Sequence, residues 1–99
     1  NDIDEAFNGA EVIYAKSWGA KQFYGNPDGD IAERAQFRAR WIVDEDKMSR
    51  TNKAIFMHCL PVRRNVIVTD GVIDSPASAV IDEAENRLHV QKAVLAELL

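Results

Sequence analysis

The residues best suited to chemistry stand far apart in the chain. They are Lys16 after "VIYA", Cys59 within "FMHCLPVRRN", the Arg63-Arg64 pair, and Arg87 within "EAENR". Lysine and arginine hold phosphates and carboxylates, arginine through a two-point fork. Exposed ion pairs contribute only about 0–1 kcal/mol, so such cations make a site only where a partly dry cleft gathers them. Cys59 needs a base to act as a nucleophile, and none is adjacent in sequence; a lone cysteine reads first as a small core residue. If the strand continued, His58 would point to the face opposite Cys59. The two histidines and one cysteine lack metal-ligand spacing, so no metal is expected. The Leu60-Pro61 step ends a strand, because proline has no N–H, and an X-Pro bond can turn cis. A bend there leaves the carbonyls of Cys59 and Leu60 to accept hydrogen bonds from an amine or amide NH2. The expected site is therefore a floor of carbonyl acceptors ringed by cations. Plainer readings stand beside it. Lys16 can be a solvated strand flank, Arg63 and Arg64 can pair with nearby acids, and Arg87 can pair with Glu83 at i−4. Trp18, Phe23 and Tyr24 read as loop anchors.

The elements that must position these groups follow from pattern. Asp2 caps a short helix, with Glu5 in capping-box spacing and Gly9 to end it. Val12–Ala15 reads as a buried strand closing on Lys16. Ser17–Asp30 holds three of the five glycines and one of the three prolines, which predicts a long functional loop. A helix is expected over Ile31–Ala39, a short strand over Trp41–Val43, and a helix started by Asp44. Ala54–Met57 is the second clear strand, Thr69–Ile73 one helical turn, and Ser78–Ile81 a third strand. Asp82 then caps a final helix with Glu85 three residues on; Ala84, Leu88, Val94, Leu95 and Leu98 give it one broad apolar face. Strands separated by helices predict an α/β fold, a parallel sheet in a three-layer α/β/α arrangement. Such sheets bind ligands beyond the carboxyl ends of their strands, where Lys16, Cys59 and Arg87 would converge.

Composition narrows the function. Ninety-nine residues make one small domain, thin for an independent α/β core. The net charge of −4 argues against a nucleic-acid partner. A single cysteine excludes an internal disulfide and fits a reducing, cytoplasmic setting. No apolar run reaches membrane-span length and no signal peptide is visible, so no membrane association is expected. The first residue is Asn1 rather than Met, which suggests a piece of a longer chain.

"HCLP" at His58–Pro61 followed by "EAENR" at Glu83–Arg87 resembles the C-terminal part of the aspartate/ornithine carbamoyltransferase family. The longer blocks "YAKSWG", "HCLPVRRNV" and "EAENRLHVQKAVLAELL" are similar to its N-acetylornithine branch. The resemblance covers essentially the whole chain, and about the last third of such an enzyme. It implies carbamoyl transfer from carbamoyl phosphate to the δ-amine of N-acetylornithine, a step of arginine biosynthesis, without a cofactor. It implies that Cys59 and Leu60 meet the carbamoyl group through backbone oxygens, and that Arg87 binds carbamoyl phosphate. Lys16, Leu60 and Arg63 would contact the acylated ornithine. A homotrimer is implied, with sites completed by a neighbouring chain. Two features depart from that branch. Ile67 stands where it carries a lysine, and Phe56–Asp70 is close to the N-succinylornithine pattern. N-succinylornithine, free ornithine, and a non-catalytic binding module therefore stay open. The family's S-x-R-T phosphate loop and its histidine-glutamine pair are absent from these residues. Residues 1–99 thus read as the C-terminal part of the acceptor-binding domain, inactive alone. The last helix, about 83–99, is expected to pack on a carbamoyl-phosphate domain.

Overall fold

The computed structural model describes residues 2–19 and 21–99. Asp2 accepts the N–H groups of Asp4 (2.9 Å) and Glu5 (3.3 Å), which starts α1 (Ile3–Phe7). Gly9, at φ +72°, takes the left-handed turn just past its end, a conformation glycine adopts without a Cβ penalty. Strand β1 (Val12–Tyr14) pairs in parallel with β2 (Ile55–Met57), with Val12, Ile13 and Tyr14 opposite Ile55, Phe56 and Met57.

A third segment joins at one residue only. Phe56 N–H donates to the Ala77 carbonyl and Ala79 N–H donates to the Phe56 carbonyl, both at 2.8 Å. Phe56 thus lies in the middle of three chain segments and is fully buried, packed with Val43, Val68, Val72, Ile73 and Val80. The arrangement is α/β, a parallel sheet with helices. Among the described residues no helix is long and apolar enough to cross a membrane.

Helix α2 (Pro27–Trp41) is longer than expected, because Asn26 caps it by accepting Gly29 N–H and Pro27 occupies its first turn. Its far end is held by Lys47, a buried ammonium that donates to the carbonyls of Ile42 (2.9 Å) and Ala39 (3.4 Å). Lys47 belongs to α3 (Glu45–Ser49), started by Asp44 as expected. Arg50 then ties α3 to α1 through Asp46 and Asp4. Thr69 caps α4 (Asp70–Ile73), and α5 runs Val80–Leu98.

Two expected strands reduce to single bridges. Trp41 ends α2, leaving Val43 alone to bridge Val68. Over Ser78–Ile81 only Ser78 bridges Phe56, because the chain turns into α5 at Val80. Ala79 occupies the cap of α5 without a side-chain bond, so Asp82 sits inside its first turn rather than before it. The expected Ser17–Asp30 loop shortens to a 3-10 turn at Lys21–Phe23 and the start of α2; Ala20, within it, lies outside the described residues.

Two apolar surfaces stay open. On one face of the sheet Val12, Tyr14 and Ile55 are exposed, whereas Phe56, on the other face, is buried. Along α5 only Val80 is buried, and Leu88, Val94, Leu95 and Leu98 face outward.

Candidate functional site

Parallel pairing sends both strands out at one edge. β1 runs on to Lys16 and β2 to His58-Cys59, and Lys16 Nζ lies 3.4 Å from Cys59 Sγ. α5 reaches the same edge through Glu83. One carboxylate oxygen accepts the Tyr14 hydroxyl at 2.6 Å, and the other accepts His58 N–H at 3.0 Å. The carboxylate therefore laces the end of β1, the end of β2 and the first turn of α5 together. The Tyr14 phenol is pushed up to about 12, first by its bond to Glu83 and then by burial; Cys59 adds to this and Arg87 opposes it. Arg87, one turn beyond Glu83, is thus within electrostatic reach of the same edge.

The turn after β2 supplies backbone. The Leu60-Pro61 bond is cis, and Leu60 sits at φ +38°, in the left-handed region. That region disfavours a leucine by about 1–2 kcal/mol. A hydrogen bond from Leu60 N–H to His58 Nδ1 (3.0 Å) contributes about 0.5–1.5 kcal/mol, enough to offset much of this. Among the described residues no hydrogen bond ends on the carbonyls of Cys59 or Leu60. His58 is only 1% exposed. Burial holds its pKa below the ordinary histidine value, Glu83 pulls the other way, and Lys16 adds to the lowering.

Lys16, Cys59 and Leu60 are thereby neighbours at one edge. Arg87 lines an adjoining shallow cleft with Met57, Glu83 and Asn86, and among the described residues it forms no ion pair with Glu83. Glu83 instead serves Tyr14 and His58. Arg63 lines a separate cleft against α2, with Arg34, Arg38 and Asn65. Arg64 pairs with Asp70 (2.9 Å) and Asp74 (2.7 Å). Asn65 and then Arg64 hold the Asp70 carboxyl below its usual range, and Arg64 does the same for Asp74. Trp18 packs on Trp41 with ring centroids 6.0 Å apart, and Phe23 covers Gly29, where a Cβ would fall 2.6 Å from its ring. Tyr24 is 97% exposed and anchors nothing. The Tyr14–Glu83 bond spans 69 residues and has no local sequence signal.

The edge can do specific things. Free carbonyls accept hydrogen bonds from an NH2 group, an ammonium and a guanidinium attract an anion, and an engaged carboxylate fixes the frame. Comparison with known proteins identifies the family. Residues 1–98 match the model of the aspartate/ornithine carbamoyltransferase Asp/Orn binding domain. The N-acetylornithine carbamoyltransferase of Xanthomonas campestris is 58% identical over 99 residues, all of this chain and 29% of that protein. The N-succinylornithine carbamoyltransferase of Bacteroides thetaiotaomicron is 50% identical over 98 residues, 99% of this chain and 29% of that protein. A crystal structure of acetylornithine transcarbamylase complexed with acetylcitrulline superposes with a TM-score of 0.85 at 58% identity, covering 99% of this chain and 29% of that one. The chain thus spans under a third of the length of these relatives, and over that span it belongs to the aspartate/ornithine carbamoyltransferase family.

Proposed function

We propose that the chain is the C-terminal part of the acceptor-binding domain of an N-acetylornithine carbamoyltransferase. The observation that carries this is identity: 58% to N-acetylornithine relatives, against 50% to an N-succinylornithine enzyme and 47% to the ornithine enzyme of Burkholderia cenocepacia. Related crystal structures hold acetylcitrulline, or carbamyl phosphate with N-succinyl-L-norvaline, which supports the substrate classes.

In this reading the carbonyls of Cys59 and Leu60 receive the carbamoyl NH2, and Arg87 faces the phosphate. Lys16 holds the acylated amino acid, and Arg63 borders the acceptor from its cleft against α2. The neutral δ-amine attacks the carbamoyl carbon. The new C–N bond forms, the C–O bond to phosphate breaks, and phosphate leaves with that electron pair and the surplus proton. Positioning and charge stabilisation supply the rate, and Cys59 forms no covalent intermediate. The exposed sheet face and the outward face of α5 would be covered by the rest of a homotrimeric cytoplasmic enzyme, with α5 against its carbamoyl-phosphate domain.

The test is to incubate the full-length enzyme with carbamoyl phosphate and each of N-acetylornithine, N-succinylornithine and ornithine, and to measure the citrulline product. N-acetylornithine is expected to be carbamoylated fastest. Faster turnover of either competitor overturns the acceptor assignment. Lys16→Ala is expected to raise the acylornithine KM at least about tenfold, since a charge-assisted contact is lost, and the carbamoyl phosphate KM less than about threefold. Equal effects on both substrates would take Lys16 away from the acceptor.

A further inference from the structure

His58 carries a buried imidazole that the proposed reaction does not use; its Nδ1 is bonded to the site's turn, and its Nε2 has no hydrogen-bond partner among the described residues. Its backbone N–H is held by Glu83, and its Nδ1 accepts the Leu60 N–H at 3.0 Å. Because a backbone N–H can only donate, Nδ1 keeps its lone pair and the neutral ring carries its proton on Nε2. Leu60 N–H belongs to the peptide plane that also carries the Cys59 carbonyl. That peptide is trans, since the cis bond lies at the next step, so its C=O points opposite to its N–H. Drawing the N–H inward onto a buried ring therefore turns the Cys59 oxygen outward. The Met57–His58 plane obeys the same rule: its N–H is on Glu83, and the opposite Met57 carbonyl accepts Ala15 N–H at 3.0 Å.

We propose that His58 is a positioning residue, whose neutral ring clamps the Leu60 N–H and so aims the Cys59 carbonyl at the carbamoyl NH2. The clamp deepens the carbamoyltransfer reading and rests on it. Any acceptor at the Nδ1 position would serve. His58→Asn keeps an oxygen there, whereas His58→Leu keeps bulk but no acceptor.

The test uses the full-length enzyme. His58→Leu is expected to raise the carbamoyl phosphate KM about tenfold, and His58→Asn to recover most of the loss, to within about threefold of wild type. The acylornithine KM should change little in either variant. A merely structural histidine would lower the melting temperature and move both KM values together. Nitrogen-15 NMR of the wild-type imidazole decides independently, even where a variant fails to fold. A protonated Nε2 beside an unprotonated Nδ1 is expected at pH 8. A protonated Nδ1, or folded Leu and Asn variants with equal defects, overturns the clamp. An inactive wild-type enzyme with the expected tautomer would instead overturn the functional reading.

Discussion

Arg87→Ala in the full-length enzyme is expected to raise the carbamoyl phosphate KM by at least about tenfold, while the acylornithine KM changes far less. A hydrogen bond to a charged group contributes about 1.5–3 kcal/mol, and about 1.4 kcal/mol is tenfold in affinity. The arginine is well placed to contribute this. It lies one turn past Glu83 on α5, acts electrostatically on Tyr14, and forms no ion pair among the described residues that a ligand would have to displace. Arg64 provides the contrast, because Asp70 and Asp74 already occupy its guanidinium. Steady-state kinetics with each substrate varied in turn gives the answer. Unchanged carbamoyl phosphate kinetics would remove Arg87 from the site.

The second large effect is on stability. Phe56→Ala is expected to destabilise the domain by about 3–5 kcal/mol, the usual cost of emptying a fully buried aromatic site. Phe56→Leu should cost much less, because it keeps most of the volume. Phe56 pairs with Ile13 of β1 and bridges Ser78 just before α5, so it underlies the three segments that deliver Lys16, Cys59 and Arg87. Urea unfolding of the full-length protein, followed through the transition of this domain, measures the effect. A loss of under about 1 kcal/mol for the alanine variant would mean that the core does not hold the three segments together.

What could be read from the sequence was local. Asp2, Asp44 and Thr69 begin their helices because a short polar side chain reaches an N–H two or three residues on, and that needs no tertiary partner. Gly9 follows the same logic at a helix end. The Asn26-Pro27 start of α2 was equally local, but Gly29 and the surrounding acids gave the stretch the look of a turn. Non-local contacts decided the remainder. Asp82 is a sound capping residue by type, yet the bonds from Phe56 N–H to the Ala77 carbonyl and from Ala79 N–H to the Phe56 carbonyl fix the chain upstream and start α5 at Val80. Lys47 has no local signal for its role, because its ammonium closes the end of a different helix, α2. At the site, parallel strand ends brought Lys16 to Cys59, a juxtaposition that topology alone foretells. The lacing through Tyr14, Glu83 and His58 depends on side-chain reach across 69 and 25 residues, which no periodicity encodes. The residue types at the edge were legible, and the frame that holds them was not.

In the proposed enzyme Lys16, the Leu60 carbonyl and Arg87 surround one ligand set. A crystal structure of the full-length enzyme with carbamoyl phosphate and N-acetylnorvaline, which lacks the attacking amine and cannot react, tests it directly. The expected result places the Leu60 oxygen and the Arg87 guanidinium within about 3 Å of carbamoyl phosphate, and Lys16 Nζ within that distance of the acylated amino acid. Either ligand bound away from this edge, or Arg87 turned from the phosphate, would contradict it.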